Sequence, residues 1–380
     1  MSQFVPLTYK GEELPYLSVS QRGTLRRCPQ KYEWAYMQGL RPERDANALW
    51  FGQLLHLSLA EWYLLGTKRG PHPAETFAAL AGDEGRHIPT EYESDERKLV
   101  DAVELGVGML EGYVLHYGKD PSQYWIATEQ DFQVRVPPLG QTQLKKGQRP
   151  LTEFRGSIDG VYRDLNTEEI WLAEHKGFKD TSTGHLPMDD QGGSYLLFAE
   201  RILRQKGLIS KKETVVGVMY NILRKALPPK DSTVFDDEGY KLNKPKKEDF
   251  LAVLSDASDK SSLAALTALA AERGVTVLGS RSAGQPSPLF IREPTYRSRH
   301  EQLRKLEGIQ REATYRDALV SGALPIFKNP TKDCNWDCQF KRMCQLHEAG
   351  EDWEDYRDAM FISREQAAAE RLAREERKSV

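Results

Sequence analysis

The amino-acid sequence predicts an α/β protein in which a mixed central sheet is flanked by helices. Three observations predict it. Between residues 121 and 178, three runs rich in β-branched and aromatic residues are separated by turn-forming stretches, as consecutive strands are. A helical pattern follows at about 188–206, and then an apolar strand, "TVVGVMYNIL", so the centre reads strands, helix, strand. Helical periodicity dominates the residues on either side.

Taken in order, "LSVSQRGTLRRCPQKYEWAYMQGL" starts with serines suited to cap a helix, and Leu25, Tyr32 and Tyr36 give it a partly apolar face. Pro29, directly after Cys28, breaks or restarts that helix. "ALWFGQLLHLSLAEWYLLG" is a strongly apolar helix that Gly66 can stop, and residues 94–117 form another ending near "HYGKDP". "QYWIATEQDFQVRVP", "LTEFRGSIDGVYRDL" and "EEIWLAEHKGF" are the three strands, with "LGQTQLKKGQRP" an exposed hairpin loop. Residues 226–245, rich in Pro, Lys and Asp, read as a mobile loop; "SSLAALTALAAERG" is a helix and 279–287 a linker. A helix with a basic start spans 296–320, and the tail "SREQAAAERLAREERKSV" is a charged helix without an apolar stripe. These textures divide the chain into a helical region (1–120), a core (121–225), an insertion with helices (226–325), a cysteine region (326–350) and a charged tail (351–380).

Composition narrows the class. The chain has 380 residues, enough for two or three domains, and 39% hydrophobic with 29% charged residues suits a globular protein. No apolar run is long enough to span a bilayer, and the first residues lack the pattern of a signal peptide, so the expected location is the cytoplasm. A net charge of −3 disfavours non-specific wrapping of DNA but leaves a local basic groove open. The four cysteines are Cys28, Cys334, Cys338 and Cys344; in a reducing compartment such clustering points to metal ligation before disulfides.

"GSIDG" and "EHK" carry the chemistry. Side chains at i and i+2 of a strand share a face, so Glu174 and Lys176 point the same way. Folding residues 159–174 as a hairpin around Asp164, Asn166 and Thr167 sets Asp159 opposite or diagonal to Glu174. Two carboxylates can hold a hard cation such as Mg²⁺ or Mn²⁺ while leaving positions for water and phosphate oxygens. A neighbouring lysine can orient or deprotonate that water and stabilise the developing anion. His175 points to the other face, although its backbone carbonyl can reach the metal.

This order, G-x-x-D-G and then a strand ending in E-x-K, resembles the PD-(D/E)XK nuclease superfamily, and within it the RecB-like exonucleases. The resemblance implies a restriction-endonuclease-like fold and a metal-dependent DNA exonuclease with Asp159, Glu174 and Lys176 as its catalytic centre. Gln191 and Tyr195, at i and i+4, resemble the family's Q-x-x-x-Y motif, which implies contact with the active site and the DNA strand. "FGQLLHLSLAEW" resembles its G-x-x-x-H helix, which makes His56 a further metal ligand and gives Gly52 a role in close approach. "CPQKY" resembles the opening of the subset in which this cysteine joins three carboxy-terminal ones around a [4Fe–4S] cluster: the CRISPR-associated RecB-like exonucleases, the AddB-type nuclease domains and their phage homologues. The ligands would then be Cys28, Cys334, Cys338 and Cys344, a structural Zn²⁺ being the alternative.

Candidates for phosphate contact are Arg22, Arg26, Arg27 and Lys31 near the first cysteine, Arg224 and Lys225 after the last strand, and Arg297 and Arg299 ahead of a long helix. Trp34, Trp50, Trp62 and Trp336 can stack on unpaired bases, with at least two of them expected in the core. No G-x-x-x-x-G-K-[ST] run is present. The partner expected is DNA with free ends, mainly single-stranded, with homo-oligomers or recombination and CRISPR-adaptation proteins as further partners. A DNA-binding subunit of such a complex, or an endonuclease, is the competing function.

Overall fold

The computed structural model describes residues 4–42, 47–85, 93–179, 181–228 and 233–363, together with Gln366. Its centre is a six-stranded mixed sheet. The strands are β1 (Tyr16–Leu17), β2 (Gln123–Val136), β3 (Thr152–Asp164), β4 (Ile170–Phe178), β5 (Val215–Arg224) and β6 (Phe290–Tyr296). β2, β3 and β4 pair antiparallel as successive hairpins, whereas β4 and β5 are parallel, because the helix α5 (Asp190–Gln205) carries the chain back between them. The α/β architecture expected from the sequence is the observed one, a central mixed sheet with helices on both faces.

Two edges of the sheet were not legible in the sequence. β6 pairs antiparallel with β5 and carries Pro294, which only an edge strand tolerates because proline has no N–H for the ladder. β1 is two residues long and lies parallel to Glu153–Phe154 of β3. Too short to show any alternation, it is recognisable only from its partner.

Alternation along the strands sorts the core into two layers. Phe154, Val161, Leu172 and Ile222 face α5 and α8 (Arg299–Val320), packing on Leu196, Ala199, Ile202 and Ile309. Trp125, Tyr162, Trp171 and Leu223 face α2 (Asn47–Trp62), α3 (Pro73–Gly85) and α4 (Glu93–Tyr117), meeting Leu54, Leu55, Leu59, Phe77 and Leu110. Burying side chains of this size contributes about 1.5–3 kcal/mol each. Among the described residues no helix is long and apolar enough to cross a membrane.

The amino-terminal residues do not form a separate helical unit. The helix α1 (Val19–Arg27) lies against α5 and α8, and the buried Arg22 pairs with Asp190 and Glu312 across them. Residues 351–363, where the charged tail region begins, complete a small core: Trp353, Tyr356 and Phe361 pack with Trp34, Phe340 and Met343. Phe361–Ser363 also pairs antiparallel with Leu40–Pro42. Trp353 and Tyr356 stand three residues apart on one helical face, a stripe that the surrounding charge conceals. Residues 367–380, the rest of the expected tail helix, lie outside the described residues, as do 229–232 of the expected mobile loop.

Candidate active site

The site sits where β3 changes partners. One edge of β3 pairs with β2 along nearly its whole length. Its other edge is taken by β1 at Glu153–Phe154 and by β4 at Gly160–Arg163, so the ladder opens just before Gly160. Asp159 stands at that opening, and the register places it opposite Glu174. Its carboxylate replaces the missing ladder bond: Asp159 Oδ2 accepts from the His175 N–H at 2.7 Å. A buried N–H must find a partner somewhere, and here the side chain supplies it.

Two further groups reach Asp159. His56 of α2 brings Nδ1 to 3.3 Å from Asp159 Oδ1. Glu129 of β2 falls opposite Asp159, between the pairs Thr128–Gly160 and Gln130–Ile158, and its backbone is left-handed (φ 45°). Ligand atoms of His56, Glu129 and Asp159 lie within 4.8 Å of one another. Glu129 was not singled out from the sequence. The one signal available was its position opposite Asp159 across the β2–β3 hairpin. That register is set by the length of the loop between the two strands and runs unbroken from Val136–Thr152 past Glu129.

On the face towards α5, Glu174 Oε1 lies 2.7 Å from Lys176 Nζ, and Lys176 Nζ donates to Gln191 Oε1 at 2.7 Å. The buried Glu174 Oε1 nevertheless receives no well-directed hydrogen bond. Glu174 stays with Lys176 rather than joining the three-ligand group. Tyr195 is buried against Phe132 and Gly156, its hydroxyl bonded to the Ser157 main chain, so it supports the "GSID" strand from beneath. His175 turns to the opposite face, stacks on Tyr63 and touches Asn221 at 2.9 Å.

Charge in the site is unevenly matched. Burial would raise Asp159, but His56 and the His175 N–H outweigh it and hold the carboxylate below its usual range. Burial, and then the Asp159 charge, push Glu174 up to about 8, against the pull of Lys176. The same two causes lift Glu129 to about 7. Burial would lower His56, yet Asp159 outweighs it and carries the imidazole up to about 9. Three carboxylates thus share the charge of one lysine and one imidazole. Carboxylates short of counter-charge and this mixed nitrogen–oxygen donor set fit a divalent cation.

The helix that presents Gln191 is held at its start. Asp189 caps α5 by accepting from the Gly192 N–H at 2.8 Å, and it also accepts from the Tyr220 hydroxyl at 2.9 Å. Gly192 is required by close approach, since a Cβ there would lie 2.2 Å from Tyr220 Oη.

The cysteines meet at the far ends of the chain. Cys28 closes α1, and Cys334, Cys338 and Cys344 sit on the segment that Phe327, Asn329 and Asp337 tie to it. Lys31 Nζ donates to the Asp337 carbonyl at 3.1 Å, and Arg27 pairs with the Asp337 carboxylate. Cys338 and Cys344 lie within electrostatic range of the other thiols. No three thiols gather within the 4.8 Å that defines the His56 group, among the described residues.

The expected DNA contacts separate. Arg22 and Arg26 are spent on Asp190 and Glu312, and Arg27 on Asp337. Arg224 and Lys225 end β5, and Lys225 lies beside Gly177, next to Lys176, and over the Phe51 ring at 4.9 Å. Burial, and then Lys179, lower the Lys225 ammonium. Trp34, Trp50 and Trp62 are core residues and cannot stack on bases, whereas Trp336 is 76% exposed.

Among curated proteins, none matches the chain. Residues 16–345 match the family described as the PD-(D/E)XK nuclease superfamily, a stretch that contains the fork at Asp159, the Glu174–Lys176 pair and Gln191. The chain belongs to the PD-(D/E)XK nuclease superfamily.

Proposed function

We propose that the protein is a RecB-like, divalent-metal-dependent deoxyribonuclease that hydrolyses phosphodiester bonds from DNA ends, single strands above all. The observation that carries this reading is the Lys176 ammonium, fixed between Glu174 and Gln191 beside the Asp159 carboxylate. A pure DNA-binding subunit has no need of a buried lysine in that position.

His56, Glu129 and Asp159 would hold the Mg²⁺ or Mn²⁺ ion, with Glu174 and the His175 carbonyl completing the set. The metal, when bound, supplies a water of lowered pKa and neutralises charge on the phosphate. Lys176 keeps its proton, since Glu174 outweighs the burial that would lower it, and so serves to orient water and to donate to a developing phosphate oxyanion. Gln191 fixes the ammonium from the helix side. Lys179, past the end of β4, and Lys225, past the end of β5, would meet the backbone of an incoming strand, and Trp336 would stack on an unpaired base.

The four cysteines suit a structural [4Fe–4S] cluster. Thr331 N–H donates to Cys334 Sγ at 3.4 Å; burial raises the Cys338 and Cys344 thiols, with Lys31 and Lys328 pulling the other way. A structural Zn²⁺ on the same four thiolates is the alternative. The cluster's role is that of a staple joining α1 to the carboxy-terminal segment. Brown, anaerobically purified protein with iron and sulfide supports it; a colourless protein with one zinc removes it.

The activity is tested with end-labelled single-stranded DNA and Mn²⁺, with EDTA as control and covalently closed circles as competitor substrate. Labelled mononucleotides or short oligonucleotides from the linear strand alone are expected. Cleavage of the closed circles would replace the exonuclease reading with an endonuclease, and no cleavage of either would overturn both.

A further inference from the structure

Behind the metal-site strand lies a buried polar chain that neither the hydrolytic chemistry nor ordinary packing accounts for. Asn221 of β5 places Nδ2 2.9 Å from His175 Nδ1 and 2.9 Å from the Tyr113 hydroxyl. Tyr113 meets the Tyr63 hydroxyl, and Arg292 of β6 donates to Tyr113 at 3.1 Å and to Tyr63 at 3.3 Å. Arg292 is itself fixed by a two-point pair with Asp120, at 2.6 and 2.8 Å. The chain therefore runs from β6, through the residues following α2 and through α4, to the ring of His175.

Its energetics are poor. Asn221 is buried, yet Oδ1 has no partner, and a buried polar atom left unpaired is destabilising. An apolar side chain in the X position of E-X-K would avoid both the amide and the imidazole. Burial already keeps that imidazole neutral, pushing it down to about 4. What the chain does achieve is geometric. His175 is pinned through its ring by Asn221 and the stacked Tyr63, and through its N–H by Asp159. Tyr63 follows α2, the helix of His56, and Asp120 precedes β2, the strand of Glu129. The three elements that meet at the metal group are thus tied to one another from behind.

We infer that Asn221 and Tyr113 are positioning residues for the metal site, acting through His175 to fix the main chain between Glu174 and Lys176. The inference rests on the metal reading of the His56–Glu129–Asp159 group. Groups that orient ligands from outside the coordination shell typically change metal affinity or activity by 10–100-fold.

The test is Mn²⁺ binding by titration calorimetry to wild type, Asn221→Leu and Tyr113→Phe, with melting temperatures in EDTA and kcat and KM on single-stranded DNA. Tyr113→Phe removes one hydroxyl and keeps the ring, so it remains informative if Asn221→Leu fails to fold. Mn²⁺ affinity is expected to fall about 10-fold, with kcat reduced and KM for DNA within two-fold of wild type. Variants that melt lower in EDTA yet bind Mn²⁺ as wild type does would overturn the inference and leave the metal reading standing. A wild type that takes up no Mn²⁺ would overturn the metal reading, and this inference with it.

Discussion

Gly192→Ala tests how Lys176 is held. The added Cβ would lie 2.2 Å from Tyr220 Oη and 3.0 Å from Tyr220 Cζ, distances at which the ring or the helix start must move. Tyr220 is fully buried on β5 and cannot swing away into solvent. The Tyr220–Asp189 bond then breaks, which for a charged acceptor costs about 1.5–3 kcal/mol, and overpacking adds about 1–3 kcal/mol. Alanine regains about 1 kcal/mol of helix propensity. The net expectation is a loss of about 1.5–5 kcal/mol, or about 2–6 °C in melting temperature for a chain of this length. Because Gln191 leaves its place against Lys176, cleavage by the folded fraction should also fall, by about 10-fold or more. Thermal melts and initial rates on labelled single-stranded DNA measure both. Gly193→Ala is the control, since its Cβ would meet only the flexible end of Lys305, at 3.0 Å. Tyr220→Phe combined with Gly192→Ala should recover part of the stability, as the hydroxyl is the closest clash. A Gly192→Ala variant with wild-type melting and wild-type rates would refute the reasoning.

Other expectations follow from the same contacts. Glu129→Gln should weaken Mn²⁺ binding about 10-fold in calorimetry while leaving the melting temperature in EDTA within a degree or so. Cys344→Ser should remove the visible absorption of the proposed cluster and lower the melting temperature, because the amino- and carboxy-terminal segments would lose the proposed staple; unchanged metal content would contradict this. Glu213 is held down to about 2, first by the Ser210 N–H and then by its hydroxyl and Arg163. A carboxylate lower in the folded than in the unfolded chain stabilises above about 4.5 and loses that contribution as pH falls towards 2. Glu213→Gln should therefore melt about 1–2 °C lower at pH 7, with the gap closing in acid melts.

The parts of this protein legible in its sequence are those with a local signature. The strands at 123–136, 152–164, 170–178 and 215–224 show as β-branched, aromatic or apolar runs, and α5 lies between the last two, as expected. The opposition of Asp159 and Glu174 followed from hairpin register alone. What was missed depends on partners distant in sequence: β1 has two residues, and β6 hides behind Pro294. Glu129 joins the site through a left-handed backbone and a long-hairpin register that no periodicity reveals. The arginines around Cys28 looked available for phosphate because the sequence does not show Asp190, Glu312 and Asp337 folding against them.

The central claim is that Lys176 performs chemistry on a metal-held phosphodiester rather than merely neutralising Glu174. The most direct measurement is single-turnover cleavage of end-labelled single-stranded DNA by Lys176→Ala, alongside its Mn²⁺ and DNA affinities. The account predicts cleavage reduced by at least about 100-fold, with both affinities within a few-fold of wild type. Cleavage at the wild-type rate would contradict it.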